Sequence, residues 1–392
     1  MKFPRLFFAT LAAALLFILA CLPGETRSAP AELAWYDVSP RQLGSSHLWD
    51  VWGSDANNLY AVGGSNTLLH RQNGSWLVEN PELDNWPTIE YQAVYGLNAN
   101  DVYVVGHGQN DQNYYKPLIL HQDGSGWQAE TFDPGGTHAY LRSVWASAAD
   151  DVYAVGSGSD LLILHLTGGN WTDESFKIPD TKVTLWDVCG VAADDIYAVG
   201  SAMYQSGSNF QPVILHKDTD WNVVALPQVA ELNNVRLFSI WCGGMDNIYA
   251  VGRGGPDMTP SGVIFHKDAL GWSYEIIPVS SLSENGLEYR AFYPSAVWGS
   301  GSDDVYVVGF GETTTGSRRY LILHNSGSGW VDESLDVAGV TYEDLLGVWG
   351  SDPDNVYAVG EGRDPDRRYF PLVLRKYDAP PPTILMLPLV IR

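Results

Sequence analysis

Cysteine, basic residues and long apolar segments are scarce in this chain of 392 residues, and each scarcity excludes a class of protein. Three cysteines are too few for a disulfide framework or a cysteine-based metal site. Lysine and arginine number 22 against 46 acidic residues, and a net charge of −24 argues against nucleic acid or an anionic membrane as a general partner. Long apolar stripes with helical spacing are absent as well, which excludes a helical fold.

The N-terminus carries the one long apolar run of the chain. Two basic residues precede residues 6–20, which are too few for a comfortable membrane span and typical of a secretory signal. Residues 18–21 (ILAC) resemble a lipobox with Cys21 as the lipidated residue, whereas residues 29–31 (APA) fit an ordinary signal-peptidase site. Both alternatives predict an exported protein, secreted or at the cell surface. Only the lipobox alternative predicts a contact with the membrane, through the lipid on Cys21.

One phrase recurs seven times along the rest of the chain. Its first copy reads VWGS at residues 51–54 and, after a short polar turn, LYAVG at residues 59–63. Its tyrosine returns at intervals of 43 to 57 residues, a period typical of propeller blades and longer than that of helical solenoids. The seven tyrosines are Tyr60, Tyr103, Tyr153, Tyr197, Tyr249, Tyr306 and Tyr357.

Each copy contains the pattern of four short strands, here called a to d. In the first copy these are residues 48–52, 59–62, 67–70 and 76–79, separated by turns rich in Gly, Asn, Asp and Ser. Four antiparallel strands repeated seven times predict an all-β fold, a seven-bladed β-propeller.

The seventh copy lacks its fourth strand. After residues 372–377 come Asp378, Ala379 and three prolines, which cannot continue a sheet. Residues 34–38 (AWYDV) match the d strands of other copies, so we predict that this N-terminal strand completes blade seven and leaves no bare edge. The propeller is expected to span residues 32–378, after a signal and linker at residues 1–31. The proline-rich, apolar tail at residues 379–392 is either a sorting signal or a patch on the propeller rim.

These repeats resemble those of bacterial secreted propellers with VWGS-xxDVYAVG phrases, similar in look to BNR/Asp-box and kelch-type propellers. The resemblance covers residues 34–378 and implies the fold. It leaves the function open, because propellers of this look include enzymes, lectins and assembly factors. The turn DGSGW at residues 123–127 resembles an Asp-box without its Ser-x-Asp lead or its Thr before Trp, so this turn gives no support to a sialidase assignment.

Two sets of repeating side chains are interpreted as structural. The histidines that end strand c, with Arg375 in the seventh copy, lie too far apart around a ring to bind one metal ion, so we expect each to form hydrogen bonds within its own blade. The aromatic residues of strand a are expected to fill the wedge between blades, with a sugar-stacking surface as the alternative. Cys189 takes this aromatic position in the fourth copy, and a disulfide to Cys242 in the next blade is an open alternative. We predict no metal site and no cofactor. The histidines are His70, His121, His165, His216, His266 and His324, and the aromatic residues are Trp52, Tyr95, Trp145, Trp241, Trp298 and Trp349.

The b–c loops and d–a connections vary most between copies, and irregular loops on a rigid scaffold are where binding sites usually lie. Guanidinium groups suit carboxylate, sulfate or phosphate, so arginines in these segments of blades six and seven predict a site for an anionic ligand. Pairing with neighbouring acidic residues is the alternative. The candidate residues are Arg290, Arg318, Arg319, Arg363, Arg367 and Arg368, with Tyr114 and Tyr115 in blade two.

The sequence thus favours a monomeric, non-catalytic binding or scaffold propeller that recognises a glycan or protein partner through the face formed by its b–c loops and d–a connections. The alternative is a carbohydrate-active enzyme, a glycoside hydrolase or lyase of sialidase-like type. Hydrolysis would need two carboxyl groups about 5–9.5 Å apart. Glu288, Glu312 and Glu361 are the loop glutamates available, and none belongs to a catalytic motif.

Overall fold

The computed structural model describes residues 33–43, 47–83, 86–130, 132–135, 138–204, 209–282, 287–335, 337, 339–340 and 342–377. Apart from two short 3-10 turns, Arg41–Leu43 and Val279–Ser281, the regular structure in these ranges is β-strand. Within the same ranges, no helix is both long enough and apolar enough to cross a membrane. The predicted signal segment, Cys21 and the C-terminal tail lie outside the described residues.

The strands form seven four-stranded antiparallel sheets, which are the blades of a propeller. In each blade the strands are named a to d from the central axis outwards. In chain order the blades are: one, β2 (Leu48–Asp55), β3 (Asn58–Gly63), β4 (Thr67–Gln72) and β5 (Ser75–Val78); two, β6 (Thr88–Asn98), β7 (Asp101–Gln109), β8 (Tyr115–Gln122) and β9 (Trp127–Glu130); three, β10 (Tyr140–Ala148), β11 (Asp151–Ser157), β12 (Leu161–Thr167) and β13 (Asn170–Asp173); four, β14 (Thr181–Ala192), β15 (Asp195–Tyr204), β16 (Phe210–Lys217) and β17 (Trp221–Val223); five, β18 (Arg236–Cys242), β19 (Ile248–Gly254), β20 (Ser261–Asp268) and β21 (Gly271–Ile277); six, β22 (Tyr289–Gly301), β23 (Asp304–Thr313), β24 (Arg318–Asn325) and β25 (Trp330–Asp332); seven, β26 (Tyr342–Asp352), β27 (Asn355–Arg363), β28 (Tyr369–Tyr377) and β1 (Ala34–Asp37).

The N-terminal strand closes the ring, and this confirms the prediction. β1 pairs antiparallel with β28, placing Ala34 opposite Tyr377 and Asp37 opposite Leu374. Each inner strand contacts the inner strands of both neighbouring blades, including β26 with β2, so the ring is continuous.

The core is divided into seven apolar clusters, one at each junction between neighbouring blades. At the junction of blades two and three, for example, Tyr103 and Val105 pack with Leu141 and Leu164. The b strands are nearly continuous apolar runs, because both faces of every blade are covered by a neighbour. This is why the phrase YAVG repeats with little change.

Four b–c segments are extended hairpins rather than irregular loops, which corrects part of the prediction. Their strands continue to pair well beyond the repeated phrase, and each hairpin has an aromatic residue suited to a strand, namely Tyr115, Phe210, Tyr320 and Tyr369. The outermost pairs are Gln109 with Tyr115, Met203 with Phe210, Glu312 with Arg318 and Arg363 with Tyr369. Arg290, Arg318, Arg319, Arg363 and Tyr115 therefore lie on strands, while Tyr114, Arg367 and Arg368 lie in hairpin turns.

Candidate ligand-binding site

The two faces of the disc differ in chemistry. We call the side with the a–b and c–d turns the turn face, and the side with the b–c hairpins and d–a connections the cavity face. Residues that repeat from blade to blade lie toward the turn face, and residues that vary lie toward the cavity face.

The repeating histidines near the turn face are committed to their own blades. His165 contacts Asp151 at 2.7 Å and Glu174 at 2.8 Å, and its ring stacks on Tyr153 with centroids 4.0 Å apart. Glu174 also accepts the indole N–H of Trp221 in the next blade at 2.9 Å. The Tyr–His stack recurs in all six blades that have the histidine, with centroid distances of 4.0 to 4.3 Å. Five of these histidines also have hydrogen-bond partners inside the blade, the sixth being His266, whose Nε2 has none among the described residues.

At five junctions among the described residues, the tryptophan of strand a packs against a glycine of the next blade, as the wedge prediction requires, whereas the residue at that position after Tyr95 is Ala146. The Trp52 ring covers Gly96, Trp145 covers Gly190, and Trp349 covers Gly53 across the closure. A side chain at these glycines would lie within 3 Å of the ring, so the pairing admits only glycine. At the junction of blades four and five, Cys189 and Cys242 occupy the aromatic and glycine positions and form a disulfide with Cα atoms 5.7 Å apart.

The six candidate arginines do not form one open cationic patch. Arg290 pairs with Glu312, Arg318 lies 3.2 Å from Asp344, and Arg368 lies 3.3 Å from Asp364. Arg319 donates to the Val340 carbonyl at 3.3 Å, Arg363 lies over the Tyr369 ring at 5.7 Å, and Arg367 has a positive φ of 66° in its turn. Binding of a ligand by these residues stays a prediction.

The two candidate tyrosines belong to an aromatic cluster at the junction of blades two and three. The Tyr115 ring lies 5.3 Å from both His107 and Tyr140, and the Tyr114 ring lies 5.8 Å from His138. His107 and Tyr140 in turn line a cavity on the propeller axis. Tyr115 is therefore adjacent to that cavity, although a role in binding stays a prediction.

This axial cavity, of about 570 Å³, opens on the cavity face. All seven inner strands contribute to its wall through the residue three positions before the repeating aromatic. These residues are Trp49, Gln92, Arg142, Trp186, Phe238, Ser295 and Leu346. A residue that packed in the core in the same way in every blade would be the same in every copy. The variation at this position therefore indicates that its side chain is free to suit a ligand.

Two arginines lie in the cavity wall against aromatic rings. The Arg142 guanidinium carbon is 4.0 Å from the centroid of Trp186, and that of Arg253 is 4.8 Å from Tyr293 and 5.2 Å from Phe238. Burial lowers the pKa of both arginines. Cation–π contact partly offsets the lost hydration but supplies no hydrogen-bond acceptor.

Two aspartates in the wall connect neighbouring blades. Asp50 accepts the backbone N–H of Val94 in the next blade at 2.9 Å, and Asp187 accepts that of Ile240 at 2.8 Å. Asp187 also accepts the Ser143 hydroxyl at 2.6 Å. Burial raises the pKa of both carboxyl groups, that of Asp50 to about 7.

Sequence reasoning missed the axial cavity because it sought binding residues in loops. Arg142, Trp186 and Arg253 lie on strands, where the repeated phrases made every position look structural. The available signal was the contrast between a position that is tryptophan in five of seven copies and a position three residues earlier that changes in almost every copy.

Comparison with solved structures supports the propeller fold. A structure titled "YCF48 bound to D1 peptide" aligns with a TM-score of 0.55 at 15% identity, covering 90% of this chain and 99% of that one. YCF48 from Cyanidioschyzon merolae has the same TM-score and identity, covering 88% and 99%. The WD40 repeats of RRP9 align with a TM-score of 0.57 at 10% identity, covering 89% and 99%. Identities this low show the fold alone.

No protein-family model matches the chain, and no curated protein matches it. The seven-bladed propeller is thus established as the class, while the closer resemblance to BNR/Asp-box or kelch-type propellers stays a prediction.

Proposed function

We propose that this chain is a non-catalytic binding propeller that takes up a segment of a partner protein in its axial cavity. The observation that carries the proposal is that one inner-strand position, whose residue varies between blades, lines a single cavity of about 570 Å³ in all seven blades. Large aromatic side chains and arginine, which dominate protein-recognition sites, are prominent among these residues. The YCF48 neighbour, whose title names a bound peptide, is consistent with this use of the fold.

The aromatic rings of the cavity favour a peptide over a sugar. A sugar ring stacks on an open aromatic face, but Trp186 has Arg142 over its ring at 4.0 Å, and Tyr293 has both Phe310 at 4.4 Å and Arg253 at 4.8 Å from its ring. These rings present their edges, and the arginines over them present positive charge. Both suit the side chains and polar groups of a peptide.

The enzymatic alternative draws its support from Asp50 and Asp187, two carboxyl groups of raised pKa in the cavity wall. Against it, both already accept backbone N–H groups of the next blade, which is a structural role. Glu288, Glu312 and Glu361 do not line the cavity; Glu312 pairs with Arg290, and Glu361 lies 3.7 Å from His47. Release of reducing sugar that Asp50→Asn abolishes would favour the enzyme and contradict our proposal.

We also propose that the protein acts outside the cytoplasm, lipid-anchored or secreted. The apolar segment at residues 6–20 and the Cys189–Cys242 disulfide support this, since such bonds persist in oxidising compartments. The N-terminal residue of the mature chain distinguishes cleavage before Cys21 from cleavage after Ala31, and a chain that still begins at Met1 would contradict export.

Selection of random displayed peptides on the full chain tests the binding function. Peptides that bind the parent should lose at least about tenfold in affinity for Gln92→Trp/Ser295→Trp, which fills the cavity. The fold should tolerate both changes, because Trp49 and Trp186 occupy the same position in blades one and four. Ser326→Trp places the same side chain in an exposed turn of the opposite face and serves as the control. Equal binding to the filled variant would place recognition elsewhere and overturn the proposal.

A further inference from the structure

Resting on the proposed peptide site, we infer that the axial cavity recognises an acidic segment, with carboxylates paired by Arg142 and Arg253. The first reason is that these two cations lack a counter-ion. Neither forms an ion pair or a hydrogen bond with any residue in the part of the chain that the structure describes. Lys217, Lys376 and Arg368, by contrast, all pair with carboxylates.

Their isolation contrasts with most of the other buried or half-buried lysines and arginines among the described residues, which form an ion pair or a hydrogen bond. With 46 acidic against 22 basic residues, a carboxylate partner is easy to supply at almost any position. Arg142 and Arg253 are half-buried, and removing a guanidinium from water without a partner is costly. An anionic ligand that pairs with both guanidinium groups would explain why one cavity contains two of them.

The second reason is the excess of donors in the wall. The indole nitrogens of Trp49 and Trp186 and the Nε of Arg142 are shielded from solvent and have no acceptor among the described residues. The oxygens of Asp50 and Asp187 are already engaged by backbone N–H groups, and Glu90 lies 3.7 Å from His107, so no carboxylate of the described wall satisfies these donors. The other guanidinium nitrogens of Arg142 and those of Arg253 also lack a partner in the described part of the chain but are not shielded, so a ligand rich in acceptor oxygens would complement them.

The third reason is the spacing of the two cations. Trp186 lies under Arg142 at 4.0 Å, its ring centroid is 5.6 Å from that of Phe238, and Phe238 lies 5.2 Å from Arg253. The guanidinium groups are therefore separated by two aromatic rings in series. A segment with two acidic side chains flanking an apolar one matches this order of charge, aromatic wall and charge.

Titration calorimetry on the full chain with two capped peptides tests the inference. The probes are acetyl-Gly-Glu-Leu-Glu-Leu-Glu-Gly-amide and the same peptide with Gln for each Glu. At roughly 20 mM salt the Glu peptide should bind about tenfold more tightly than the Gln peptide, and roughly 200 mM salt should reduce the difference. Arg142→Gln/Arg253→Gln should abolish the difference while its melting temperature stays at or above that of the parent, because an unpaired buried charge has been removed.

Arg41→Gln is the matched control, since it removes the same charge from a d–a connection on the cavity face where Asp37 already pairs with it. Equal binding of both peptides would show that the cavity binds peptides without recognising carboxylates. That result would overturn this inference but leave the proposed peptide-binding function intact. Binding of trigalacturonate that depends on Arg142, with neither peptide bound, would overturn both. Absence of binding by any of these probes would overturn the acidic-segment inference, while the peptide selection separately decides the binding function.

Discussion

The two faces of the propeller follow opposite rules. Toward the turn face, most histidines of the repeat have fixed partners, as His165 has in Asp151 and Glu174. Toward the cavity face, the residue at one register changes from tryptophan to glutamine to arginine between successive blades, and some donors have no described partner. The difference teaches that repetition in this chain marks the groups that hold blades together, whereas departure from repetition marks the surface free to serve a ligand.

The closure of blade seven is the place where breaking a repeated contact should cost most. Deleting residues 33–37 removes β1, exposes an edge of β28 and empties the site of Trp35, which is only 4% exposed. We expect a loss of more than about 4 kcal/mol in unfolding free energy, or aggregation, measured by chemical denaturation and light scattering. Leu33→Ala, at an exposed residue beside the strand, should behave like the parent. A truncated chain that unfolds at the parent's midpoint would refute the role of β1.

The Cys189–Cys242 disulfide should rank next. Replacing both cysteines by serine should cost about 2–4 kcal/mol, because the bond closes a loop spanning a sequence separation of 53. The pair Cys189→Trp/Cys242→Gly installs the contact used at other junctions, so it should recover part of that loss in denaturant titrations. If the Trp/Gly pair were no more stable than the serine pair, the disulfide would not be a substitute for the repeated contact.

The smallest expected effect is a pH dependence at the same closure. Glu333 accepts Trp35 at 3.1 Å, His324 at 2.7 Å and Lys376 at 2.8 Å. Burial alone would raise the pKa of Glu333, but these hydrogen bonds outweigh it and lower the pKa from 4.5 to about 2. Because the folded-state pKa is depressed, this carboxylate contributes stability above about pH 4.5 that is lost as the pH falls toward 2.

Unfolding measured between about pH 6 and pH 2.5 checks this contribution. Glu333→Gln should reduce the acid-induced loss of stability by about 1–2 kcal/mol, a value discounted for the group's partial exposure. If the unfolding free energies of the parent and Glu333→Gln fell in parallel with pH, the ion-paired cluster around Glu333 would not contribute to the acid-induced loss of stability.

Much of the fold could be predicted from the sequence because its determinants are local and repeated. The interval between tyrosines indicated the blade, and the missing d strand of the seventh copy matched residues 34–38. The hairpins were harder, since the pairing of Gln109 with Tyr115 or Glu312 with Arg318 depends on cross-strand contacts that residue composition does not reveal.

The candidate site shows the same division. Arg290, Arg318 and Arg368 stood out as charges in variable segments, yet each lies beside a carboxylate. Arg142 and Arg253 come from blades three and five and are 111 positions apart in the chain, so their sharing of one cavity could not be anticipated from local sequence.

By itself the sequence determined the architecture of this protein: seven blades of four strands, closed by the N-terminal strand, with tyrosine, histidine and tryptophan in structural positions. The blades follow from periodicity and turn chemistry, which act between near neighbours in the chain, and the closure follows from the d strand that the seventh copy lacks and residues 34–38 supply. The tertiary structure alone decided which side chains meet on the axis, because ring closure brings one residue from each of seven distant segments to the same cavity wall.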